Sequence, residues 1–310
     1  MTDIKRATGL LVIEVVNSNP NGNPDFESEP RQRSDGYGEI SPVSFKRKLR
    51  DLVEDKGLVW RELKKQFDLE KEKTEKYSIL ESKDVKREEV KKMIKKDVNE
   101  FKKEYWDARV FGNTFLEKDA DDKDQALRKS IKAGVVHFGL GLSLAPVDIE
   151  RLTFTKKAPA QEDKQSGMAP MAYRVVKHGI YVMPFFVNPN AALPDSPRNT
   201  GCTKKDIDLL LKLIPYGYSH NPSLPRNQVS LIHAWCMEHS SPLGSCSDFK
   251  LIEAMTPRRK PEFDKGTPSL SRSEYIFPAD FPEKFEDRPF KEKLKDKVHL
   301  RNLLDEAGII

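Results

Sequence analysis

The chain has 310 residues, 37% hydrophobic and 33% charged, and its 54 Lys and Arg against 49 Asp and Glu leave a formal net charge of +5. That is enough apolar material for a core, and so mild a positive balance means that any nucleic-acid site must come from local clustering of cations. Three cysteines (Cys202, Cys236 and Cys246) without metal-ligand spacing, no leader-like segment and no apolar run near the roughly 20 residues that span a bilayer argue for a soluble protein of the reducing cytoplasm.

Leu10-Leu11-Val12-Ile13-Glu14-Val15-Val16 is short and β-branched and reads as a buried strand. Two Asn-Pro steps and an Asn-Gly step then argue against regular structure from Asn17 to Pro24, and leave N–H groups and amide side chains facing outward. Ser41-Pro42 marks a helix start, with a capping hydroxyl before a proline at the first helical position. On that helix Phe45, Leu49, Leu52 and Val53 form a core stripe, while Lys46, Arg47, Lys48 and Arg50 spread over more than one face. Exposed amides, a helix N-terminus and clustered cations together suit a phosphate-bearing polymer.

From Leu58 to about Tyr105 the composition turns to alternating Lys and Glu, which favours long exposed helices. Val90, Met93, Ile94, Val98, Phe101 and Tyr105 fall on one stripe, as expected of an amphipathic helix packed on the main body. Gly134 to Leu144 reads as a strand interrupted by glycines. An excursion follows, flanked by strand signals at Leu152–Thr155 and Tyr173–Val176, and reads as an extended hairpin projecting from the body with Met168 and Met171 near its tip. Gly179 to Val187 is a further strand, Thr203 caps a helix from Lys204 to Ile214, and a final strand runs from about Gln228 to Glu238. The order β, α, β, excursion, β, α, β is that of an α+β, ferredoxin-like or RNA-recognition-motif core. Beyond Pro257, proline and charge dominate up to a short helix near Lys293 to Glu306, read as an appendage.

No Walker loop, dinucleotide fingerprint, His-Glu-x-x-His or Cys-x-x-Cys occurs, so no cofactor or metal is expected. The aromatic strand signature of an ordinary RNA-recognition motif is also absent, which turns recognition toward backbone and loops. Asp25 sits in the leading loop without a companion carboxylate or histidine. His137 and His178 read as strand or strand-end residues.

Asn17–Asp25, Pro30-Arg31, Gly36–Ser41 and Ser44–Asp51, with Arg109–Gly112, Gly134–Pro146, the methionine-bearing excursion and His239–Gly244, resemble the repeat-associated (RAMP-superfamily) backbone subunit of type I CRISPR effector complexes, nearest the I-C and I-B branch. The resemblance covers about residues 9 to 245. It implies a hand-like subunit: palm 1–57, 109–147 and 179–245, helical fingers 58–108, thumb hairpin 148–178 and C-terminal appendage 246–310. Such a subunit polymerises along CRISPR RNA and displaces one guide base at intervals with its thumb. The partners implied are the guide, target DNA through the guide, further copies of the chain, and handle-binding and large subunits, with no membrane. The implied RNA-contacting set is Asn19, Asn21, Asn23, Arg31, Ser44, Lys46, Arg47, Arg50, Arg109, Phe111, Lys156, Arg174 and, as apolar wedge, Met168. Met168-Ala169-Pro170 lacks the basic residue expected after the tip in the I-C branch. Contacts to sugar and phosphate leave sequence choice to base pairing. The resemblance implies no catalytic residue. Two enzymatic readings stand beside it: a type III-like, metal-dependent cleavage of target RNA through Asp25, and a repeat-RNA endonuclease using His137 or His178 as general base.

Overall fold

The computed structural model describes residues 2–69, 76–114, 127, 130, 132–157, 168–220 and 226–309. Its centre is β1 (Ala7–Ser18), which pairs antiparallel with β6 (Met168–Val187) on one side and β7 (Val229–His239) on the other. The eight-stranded sheet runs β8-β7-β1-β6-β4-β2, where β2 is Tyr37–Ile40, β4 is Gly141–Pro146 and β8 is Val298–Asn302. β3 (Val136–Phe138) and β5 (Ile149–Lys157) also pair with β6. Within it β7-β1-β6-β4, with α1 (Pro42–Glu54) after β1 and α6 (Lys204–Leu213) after β6, make the ferredoxin-like palm expected from the element order.

β1 is apolar almost throughout because both of its faces are covered. Leu11, Ile13 and Val15 pack with Phe45, Leu49 and Val53 of α1 and Leu210 and Leu213 of α6. On the other face Leu10 meets Trp235, Met255, Phe281 and Phe290, and Val12 meets Tyr275 and Phe277. That second cover is α7 (Asp248–Met255) and the chain that follows it. The C-terminal segment is therefore more than an appendage: it roofs one side of the sheet and supplies the edge strand β8, in register from Trp235↔Asn302 to His239↔Val298. A strand flanked by single helical turns at Lys291–Leu294 and Leu303–Glu306 replaces the expected helix, because Val298 and Leu300 alternate with His299 and Arg301 at the period of a strand.

The long helices expected from Leu58 onward are instead α2 (Leu58–Gln66), α3 (Arg87–Lys96) and α4 (Val98–Glu104). Asp97 breaks the run: its backbone is extended at φ −157°, and its carboxylate accepts the Asn99 N–H to start α4. The stripe still forms a small core, with Val90, Ile94, Phe101 and Tyr105 around Leu80. α5 (Trp106–Phe111) then ties this insertion to the palm through two buried ion pairs, Arg50–Asp107 and Arg109–Asp206. The expected hairpin is present as β5 against the first half of β6, from Val176↔Ile149 out to Met168↔Lys157. Its tip, 158–167, lies outside the described residues.

Candidate nucleic-acid interface

The leading loop is folded onto the start of α1 rather than splayed outward. Asn21 is 8% exposed; its Oδ1 accepts the Ser41 N–H at 2.7 Å and its Nδ2 donates to the Gly22 carbonyl. Asn19, also buried, donates to the Ser28 carbonyl at 2.7 Å, and Asn23 accepts the Asp25 N–H. Gly22–Asn23 pairs with Glu29–Pro30, so the asparagines hold a miniature hairpin shut. This corrects the expectation of outward amides. A side-chain amide offers both donor and acceptor, and here those bonds replace the ladder that the prolines deny. Ser41 caps α1 as expected, its Oγ accepting the Ser44 N–H at 3.2 Å.

The cations of α1 divide by depth. Arg50 is inside the protein, bonded to Asp107 and Glu81 at 2.9 Å each, and Arg109 is likewise buried on Asp206 and the Lys76, Lys102 and Lys103 carbonyls. Phe111 is buried against Trp106 and Phe138. These three leave the set of contact residues, because groups so enclosed and already paired have no surface to offer a polymer. Arg47 is half-exposed and bonded to Asp51 and Glu54. Lys46 lies over the Phe111 ring at 5.7 Å, and burial, with Arg50 next, lowers its pKa. Lys48, 8% exposed, is lowered by burial and then by the nearby Arg226. Arg31 keeps Glu39 at 3.1 Å.

Beside the loop a cleft of about 470 Å³ opens, lined by Asn19, Ser28 and Glu27, by Arg151, Tyr173 and Arg174 at the base of the hairpin, and by Arg226. Arg151 stands directly across the ladder from Arg174, both exposed, and Arg174 reaches Glu29 at 2.6 Å. Like charges so opposed repel unless an anion joins them. Two buried polar atoms at this cleft, Asn19 Oδ1 and Arg226 Nε, have no hydrogen-bond partner among the described residues. Phe26 is exposed on the same loop. The sequence carries no local signal for Arg151 or Arg226, which acquire meaning from cross-strand register and from the approach of a distant turn.

Met168 opens β6 opposite Lys157, and Lys156 is opposite Ala169; their side chains lie outside the described residues, so the wedge expectation has no geometry here. Asp25 is exposed at its asparagine-built turn, and no group of three His, Cys, Asp or Glu gathers for a metal among the described residues. His178 is buried, with Nδ1 2.8 Å from Ser269 Oγ, and His137 is an exposed strand residue. No helix among the described residues is long and apolar enough to cross a membrane.

A large antiparallel sheet roofed on both faces, a projecting hairpin and a cleft lined by three arginines between hairpin base and leading loop define an α+β protein of ferredoxin-like core. The sequence profile described as "CRISPR-associated protein Cas7" matches residues 5–279, and the chain belongs to that family. The CRISPR-associated protein Cas7 of Haloferax volcanii is 28% identical over 230 residues, 68% of this chain; the match spans 63% of that relative's length. Among solved structures, a chain of a "CRISPR RNA-guided surveillance complex, pre-nicking" is similar at TM-score 0.46 and 16% identity over 77% of this chain and 80% of that one. A chain of a "CRISPR RNA-guided surveillance complex" follows at TM-score 0.41 and 15% identity over 78% and 72%. A type III-B Cmr-beta complex bound to cognate target RNA contains a chain at TM-score 0.31 and 9% identity over 59% and 47%.

Proposed function

We propose that the chain is a structural, RNA-binding backbone subunit of a type I CRISPR surveillance complex. Several copies line up along the guide RNA and hold it for pairing with target DNA, beside a handle-binding and a large subunit. The observation that carries this reading is the arginine cluster of the cleft: Arg151 across from Arg174, with Arg226 facing them and its Nε–H without a partner among the described residues. Glu29 meets one of these cations, Arg174, and an RNA backbone supplies further anions to the cluster with no sequence demand. Lys46 extends the positive surface along α1, Asn23, Arg31 and Ser44 border the loop, and Phe26 offers a ring face to a base or ribose. Arg47, Lys156 and Met168 stay in the proposed contact set on family grounds.

Size-exclusion chromatography with mass and absorbance detection, on protein from cells co-expressing a CRISPR array, tests the reading. A multimer holding RNA of uniform length is expected. An RNA-free monomer that cuts added RNA would replace it with an enzymatic role.

A further inference from the structure

The sheet ends at β8, and no strand lies on its far side among the described residues. Register decides which groups face that way. Ser240 N–H donates to the Lys297 carbonyl at 2.9 Å, and His239 N–H turns to Arg6 instead. Bonded pairs recur at every second residue of an antiparallel ladder, so with His239 opposite Val298 the positions bonded to β7 are Lys297, His299 and Arg301. Val298 and Leu300 therefore aim their N–H and carbonyl groups away from the sheet. Their side chains line, with Phe281 and Leu294, a groove of about 440 Å³ on one face of the strand. An open ladder and an apolar groove thus coincide on the same two residues.

Charge on the strand's other face identifies the occupant. Lys297, His299 and Arg301 alternate with the groove residues along the strand, while the groove's own rim is mixed, with Lys291 and Lys295 beside Asp280, Glu283 and Glu292. Lys297 and His299 are exposed, and Arg301 is held by Glu238 and Glu306. Two copies of this edge brought together would set these basic residues against each other, the arrangement that protects edge strands from self-pairing. We infer that the outer edge of β8 receives an extended segment of another protein in which apolar and acidic residues alternate. Its backbone continues the ladder at Val298 and Leu300, its apolar side chains enter the groove, and its carboxylates face the basic stripe.

The test uses the full chain and a short peptide of alternating valine and glutamate, blocked at both ends. Amide hydrogen exchange at Val298 and Leu300 is read with and without peptide, and binding is followed by fluorescence anisotropy. The peptide is expected to slow exchange at both amides, and its counterpart with lysine for glutamate to lose binding. Leu300→Pro removes only an outward donor, leaves the ladder to β7 in place and is expected to abolish binding. Leu300→Glu, which keeps the backbone donor and puts a charge into the groove meant for the peptide's valines, gives the same loss should the proline variant not fold. Absence of binding overturns the inference. So do amides at Val298 and Leu300 that are already protected in dilute protein alone, since the edge would then be covered by the chain itself or by a second copy.

Discussion

Arg109 sets its guanidinium on the Asp206 carboxylate with contacts of 2.8 and 3.0 Å, both side chains at most 1% exposed, across 97 residues of sequence. The same carboxylate completes the capping box of α6 with Thr203. One residue pair therefore joins the insertion to the palm and starts a palm helix. Removing Asp206 strands a buried cation and an open helix end together. Asp206→Ala is expected to lower stability by roughly 3–5 kcal/mol in a denaturant titration, and Arg50→Ala to cost a similar amount by stranding Asp107. A loss under about 1 kcal/mol in both would show these pairs to be solvated rather than enclosed.

Arg151→Ala and Arg226→Ala are expected to leave the unfolding midpoint unchanged and to weaken RNA binding in a salt-dependent way. Each removed phosphate contact should reduce the slope of log affinity against log salt by about 0.7 for single-stranded RNA. Equal slopes for wild type and both variants would take the cleft out of the RNA path.

His239 lies within the palm with Nδ1 accepting the Ser245 N–H at 3.0 Å and Nε2 3.1 Å from Thr8 Oγ1. Burial lowers its pKa below the ordinary 6.5 in spite of Asp248 beside it, and His233 is lowered too, by burial and then by Arg272. The unfolded chain then takes up protons first as pH falls. Stability is complete above the ordinary imidazole value and declines below it until the folded-state values are passed, at no more than about 1.4 kcal/mol per pH unit for each group. His239→Gln is expected to make this acid limb shallower in unfolding measured at stepped pH. An identical limb would mean that His239 binds its proton equally well in both states.

Gly9 faces Phe185 across β1 and β6, and a Cβ placed on it would stand 2.0 Å from the ring. Gly9→Val should lower stability by about 1–3 kcal/mol, seen as a lower melting temperature. A melting temperature that holds would show that the ring can turn aside.

The elements legible in the sequence are those written locally. Leu10 to Val16, the Ser41 and Thr203 caps and the strand ending near Glu238 each carry their signal within a few residues, and their order was enough for the palm. What was not legible depended on distant partners. Arg50 and Arg109 look like surface cations until Asp107 and Asp206 arrive from 57 and 97 residues away. Asn19 and Asn21 look like exposed amides until the loop closes on Ser28 and Ser41. The cleft's own arginines had no pattern to betray them, since Arg151 matters through its place opposite Arg174.

Both broad faces of the sheet are roofed, one by α1 and α6 and the other by the chain from Asp248 onward. The palm is thereby a tile whose flat sides are finished and whose business is confined to its perimeter. A body finished in this way can meet a neighbour along its borders without repacking its interior.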